Sequence, residues 1–229
     1  MSQWKRIAIE APVIVGSILL AFSIDAWWQE HSDQIRVEAY LEQVRADTQD
    51  NLRRLREALQ LEKKQLDAAQ KILFALRSSE PMTLESAREW TRIEPGFMWY
   101  SDPRLLDGAL TALVTTGDIN SVRDMVVKTS IVNYLGQLQA DMNEFDRGVG
   151  RFLIIHDELL RVFEPGRLPG ANSGDDALAN ELLAAQNDKT TATIFRLLEK
   201  NIGSRTWYLE QMLAATEKLS DELTTQSNR

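Results

Sequence analysis

His31 and His156 are the only imidazoles in the 229 residues, and cysteine is absent. Neither histidine lies in an HExxH pattern or in the Glu-x-x-His pairs from which di-iron bundles build their centres. His156 stands in a helix-periodic apolar run, where an imidazole serves more often as a packed boundary residue than as a ligand. Without cysteine there is no disulfide framework, zinc-thiolate site or thiol nucleophile, a composition compatible with an oxidising compartment. Glu144, Asp146 and Asp157 share one predicted helix as isolated carboxylates of the kind that keep a helix soluble. Gly148-Val149-Gly150 lacks the strand, turn and third glycine of a dinucleotide loop. Serine and threonine are plentiful but have no identifiable base. These residue types, so spaced, point to no catalytic set, no metal site and no cofactor, and the expectation is a non-enzymatic protein.

The element that organises the chain is Ile7 to Trp28, an apolar run that follows Lys5 and Arg6. A spanning helix needs about 20 mostly apolar residues to cross a hydrocarbon core of about 30 Å. Its two carboxylates, Glu10 and Asp25, lie near the ends, where a charge reaches the headgroups. Trp4 before the run and Trp27 and Trp28 at its end suit the two interfaces. Cations before the run, with Glu30 and Asp33 after it, predict a cytoplasmic N-terminus and a periplasmic or otherwise extracytoplasmic bulk. A cleaved signal peptide is the rival, because Ala21-Phe22-Ser23 resembles a small-x-small cleavage site. A Glu within the apolar core and an aromatic pair beyond it fit an anchor better. Glu10 can pair with Arg6 one turn earlier or contact a partner helix. Ser17, Ala21 and Asp25 form a row of small or polar groups that permits close helix approach. The expected division is therefore an anchor over 1–28 and one helical-bundle domain over 29–229.

The net charge of −8 argues against a general nucleic-acid-binding surface. About 200 residues outside the run are enough for one domain with its own core. From Ser17 through Glu80 there is no glycine or proline, so the anchor helix can continue into the domain. Leu41, Val44, Thr48, Leu52, Leu55, Leu59, Leu66, Ala69, Leu73 and Leu76 recur at steps of three and four, with a polar gap at Glu62. Arg53, Arg54, Arg56, Lys63 and Lys64, interleaved with Glu57 and Glu62, read as a solvated face.

Ser79 to Pro81 ends this helix, and Thr83 can cap a short one over Leu84 to Thr91. The aromatic stretch Phe97-Met98-Trp99-Tyr100 is expected to plug the far end of the bundle, or else to form an exposed partner patch. Asp102 and Pro103 read as the start of a helix to Thr115, stopped by Gly117. Ile119 and Val122 fold back on the core before a long helix from about Asp124 to Phe163. Glu164 to Asp175 is a flexible loop, near the bilayer if the second long helix returns towards it. A short helix over Asp176 to Gln186 precedes a last helix from about Thr190 to Leu223, with a frayed tail. The fold class is all-α: a membrane helix continuing into an antiparallel bundle of long helices, with short helices at the distal end.

Two stretches carry a resemblance. Glu10, Gly16, Leu19-Leu20-Ala21 and Trp28 resemble the anchor of a bacterial single-pass membrane family of unknown function. Thr116-Gly117-Asp118-Ile119 with Val122, Ile131 and Tyr134 is similar to that family's turn between two helices. The resemblance implies architecture and inner-membrane location, and no activity.

These readings lead to a scaffold, adaptor or accessory subunit of a membrane assembly, partnered by the lipid bilayer and by a membrane protein or a second copy. The contact surfaces expected are Glu10, Ser17 and Ala21 on the anchor, and Phe97, Trp99 and Tyr100. The alternative is a ligand-sensing bundle with a small molecule around Tyr134, Phe152 and His156.

Overall fold

A computed structural model describes the backbone of residues 3–91, 100–162 and 176–227, and the side chains of 15–89, 100–159, 161–162 and 179–225. Among the described residues six helices follow in order: α1 (Gln3–Arg77), α2 (Leu84–Thr91), α3 (Gly108–Thr115), α4 (Met125–Val162), α5 (Asp176–Ala184) and α6 (Lys189–Ser227). A 3-10 turn, Asp118–Ser121, lies between α3 and α4. Among the described residues there is no strand. The 75 residues of α1 reach about 110 Å at 1.5 Å per residue.

Helix ends follow local chemistry. Thr83 caps α2 by accepting from Ser86 N, Asp124 caps α4 through Val126 N and Val127 N, and Asp188 caps α6 through Thr191 N and its hydroxyl. Each side-chain oxygen satisfies a first-turn N–H that has no partner within the helix. Gly117 stops α3 with φ of 83°, a conformation that a Cβ disfavours.

The long helices pack through α6, which contacts both α1 and α4 extensively. Arg56–Glu217, Lys63–Glu210 and Gln70–Glu199 set α1 and α6 antiparallel. Tyr134–Thr216 and Asn201–Gly148 do the same for α4 and α6. It follows that α1 and α4 run parallel. The chain makes this possible by descending along α1 between Tyr100 and Ser121. Ser101 is bonded to Glu62, Leu106 to Asn51, and Asp118 to Arg36, in that order down the helix.

Several expectations are corrected here. Residues 101–107 are not helical, although Asp102-Pro103 reads as a helix start. Asn51 accepts from Leu106 N and donates to its carbonyl, both at 2.8 Å, which replaces the helical bonds that this backbone would otherwise make. Because α4 ascends with α1, its end at Val162 and the start of α5 both lie distally. The loop expected near the bilayer therefore attaches at the opposite end; its own residues, 164–175, lie outside the described ones. The last helix continues past Leu223 to Ser227. Leu197 on this helix is half exposed.

Of the seam expected on α1, Leu41, Val44, Thr48, Leu52, Leu55, Ala69 and Leu76 are buried and Leu59, Leu66 and Leu73 partly so, and among the described residues the buried apolar side chains form two clusters. The proximal one gathers Val37 to Ala58 of α1, Val127 to Phe145 of α4 and Leu209 to Leu223 of α6. The distal one gathers Ala69 to Leu76, Phe152 and Leu159, and Ile194 to Ile202, with α2 and α5. Between them, Glu62, Arg205 and Gly148 meet. A Cβ built on Gly148 would stand 2.9 Å from Cγ of Arg205, whereas Gly136 and Gly150 have nothing within 4 Å. Gly136→Ala and Gly150→Ala are therefore expected to raise stability by about 0.5–1 kcal/mol each, and Gly148→Ala to lower it by about 1–3 kcal/mol through overpacking. Urea midpoints of the three variants check the opposite signs.

Candidate functional site: a bare helix end and a buried ion pair

The first described buried residue of α1 is Val37. Before it, Val15, Ile18, Leu19, Leu20, Phe22, Ile24, Trp27 and Trp28 are between 50% and 67% exposed. Isolated exposed apolar residues are ordinary on a protein surface, but a contiguous set of this size marks a contact. Trp27 stacks on His31, one turn later, with ring centroids 5.5 Å apart. Among the described residues no helix is long and apolar enough to cross a membrane. The expected span begins at Ile7, and the side chains of residues 7–14, Glu10 included, lie outside the described ones. Ser17 and Ala21 are exposed on this segment.

Where α1 enters the bundle, the Asp118 carboxylate takes a two-pronged grip from Arg36, with Nε at 3.0 Å and Nη2 at 2.7 Å. The Thr116 hydroxyl donates to the same carboxylate. The Arg36 guanidinium, aided by Thr116, holds the Asp118 carboxyl below the ordinary carboxylate range, against the opposing effect of burial. Stability from this ionisation is thus fully present above the ordinary carboxylate pKa and fades as pH falls through the lowered one. The turn Thr116-Gly117-Asp118-Ile119 is thereby fixed to α1, and α4 starts beside it.

The second feature is the layer between the apolar clusters. The Glu62 and Arg205 side chains are both fully buried. Oε2 of Glu62 accepts from Arg205 Nη2 at 2.9 Å and Nε at 3.3 Å. Oε1 accepts from the Ser101 amide at 3.1 Å and its hydroxyl at 2.9 Å. Arg205 Nη1 donates to Asn201, whose amide donates to the Gly148 carbonyl. The guanidinium carbon lies 4.8 Å from the centre of the Phe152 ring, within cation–π range. One carboxylate so joins α1, α6 and the descending segment, which corrects the reading of Glu62 as part of a solvated face, since its side chain is fully buried. The polar gap at Glu62 was the available signal.

Tyr100 lies at this level, 39% exposed and edge-on to Phe152 at 5.9 Å, rather than at the far end of the bundle. Phe97 and Trp99 lie outside the described residues. Tyr134 and Phe152 are both buried but about 27 Å apart along α4 at 1.5 Å per residue. His156 is half-buried against Phe152. These three do not line one cavity between helices: Tyr134 bonds to Thr216, and burial raises its phenol pKa.

On the basic face, Arg53 and Arg54 pair with Asp50, Arg56 with Glu217, and Lys63 with Glu210. A shallow hollow of about 500 Å³ runs along it, lined by Arg56, Leu59, Gln60, Lys63, Lys64 and Asp67. Among the described residues no three histidine or carboxylate side chains group as a metal site.

Compared with family models, curated proteins and solved structures, the chain has no match, so the likeness to a membrane-anchored family rests on its two stretches of sequence.

Proposed function

We propose that this protein is a single-pass anchored scaffold or accessory subunit of a membrane assembly in the bacterial inner membrane, with a cytoplasmic N-terminus and an extracytoplasmic bundle. The observation that carries the reading is the bare apolar end of α1, continuous with a helix that goes on to form one wall of the bundle. Residues 7–28 measure about 33 Å as a helix, close to the thickness of a hydrocarbon core. Lys5 and Arg6 supply the positive side. The clamp of Arg36 on Asp118 fixes the bundle to this helix within about two turns of Trp28. Because the helix is continuous, the bundle holds a set height above the bilayer, as a scaffold requires.

Tagged protein purified from native membranes in mild detergent is expected to resist extraction at alkaline pH, retain its N-terminus by intact mass, and carry a stoichiometric membrane partner. Release at alkaline pH, or a mass lacking the first two dozen residues, removes the anchor. Retention of the anchor without any partner removes the accessory-subunit role.

A further inference from the structure

The N-terminal turn of α4 carries Met125 at 69% exposure and Val126 at 63%. From these we infer that the bundle makes a second contact with the bilayer, Met125 and Val126 entering the boundary between headgroups and acyl chains beside the anchor. This deepens the anchored reading and rests on it. Since α4 is parallel to α1, its N-terminus faces the side from which α1 arrives. One tie sets the height and a looser, exposed contact agrees with it. Asp118 is gripped by Arg36, and Nη2 of Arg123 stands 3.9 Å from Glu30, a residue about 3 Å beyond Trp28 along the helix axis. Arg123, three-quarters exposed, is therefore level with the tryptophan pair that suits an interface, where a guanidinium meets lipid phosphate.

Hydrogen bonds hold the turn in that position. Asp124 spends its carboxylate on Val126 N and Val127 N, and Lys128 donates to Asn120. Val127 is buried in the proximal cluster, which leaves its two predecessors outward. The occupant is lipid because the contiguous exposed apolar row of α1, Val15 to Trp28, stops just short of the level where this turn begins, and Ile35, the next exposed apolar residue of α1, stands alone about two turns further on. A pair of apolar side chains adds to an anchor by the area that it removes from water.

The chain has no cysteine, so single labels are clean. Phe22→Cys, Val126→Cys and Ile154→Cys, all at exposed positions, would each carry an NBD fluorophore in full-length protein. The variants would be reconstituted into phosphatidylethanolamine–phosphatidylglycerol vesicles containing lipid spin-labelled high on the acyl chain. Ile154 lies about 42 Å further along α4 than Val126. The expected result is blue-shifted, lipid-quenched emission at 22 and 126, with 154 aqueous. Quenching at 22 while 126 behaves like 154 overturns the second contact and leaves the anchor standing. A blue shift at 126 without quenching assigns that turn to protein rather than lipid and also overturns it. Loss of quenching at 22 overturns the anchored reading itself.

Discussion

Glu62→Leu is expected to lower the unfolding free energy by about 3–5 kcal/mol, because it strands a guanidinium in the interior. Arg205 is fully buried and gives two of its donors to this one carboxylate, with Asn201 as its remaining protein acceptor among the bonds resolved. The Ser101 amide and hydroxyl lose their acceptor at the same time, which frees the descending segment at its upper tie. A domain of this size holds about 5–15 kcal/mol in total, so the melting temperature should fall by roughly 10 °C. Glu62→Leu combined with Arg205→Met should recover much of the loss, since two apolar side chains of similar volume replace a pair whose desolvation offsets its attraction. Urea denaturation of the two single variants and the double one reads the coupling directly. Equal losses in the single and the double variant would show that shape, and not the uncompensated charge, sets the effect.

That ion pair also marks the limit of what the sequence makes legible. The periodic runs of α1, α4 and α6 were readable because a helix burying one stripe repeats its apolar residues at three and four. The stop at Gly117 and the cap at Thr83 were readable because each depends on one residue type in a local conformation. Glu62 reads as an interruption of its seam, because its partner lies 143 residues away and no local pattern announces a charge on another helix. The same holds for topology. Alternating directions are the economical guess for three long helices, yet α1 and α4 run parallel because Glu62, Asn51 and Arg36 draw the intervening segment back down α1. Residues 101–107 have no periodicity of their own to betray this. The bare end of α1, by contrast, was legible from composition alone, as was the tryptophan pair that closes it.

A chain beginning at Glu30 is expected to fold with the stability of the full protein and to lose its association with membranes. The first part follows from burial. Residues 15–32 of α1 are exposed and Val37 is the first buried one among those described, so among the described residues the cut removes no core contact, and Asp33, Arg36 and Asp118 remain in place. The second part follows from transfer. Residues 7–28 hold ten Val, Ile, Leu and Phe side chains, each worth about 0.3–0.6 kcal/mol on entering the middle of a bilayer, or roughly 3–6 kcal/mol together. Against that, Met125 and Val126 form too small a patch to hold the bundle at the surface unaided, just as a single short acyl chain gives only reversible binding. The truncated chain should therefore appear in the supernatant after ultracentrifugation, with a urea midpoint unchanged from that of the detergent-purified parent. A fall in the midpoint would mean that the residues before Glu30 pack on the bundle, and the exposed apolar row would then be a fold contact instead of a membrane one. Sedimentation of the truncated chain with membranes, its stability intact, would move the principal attachment from the helix to the bundle.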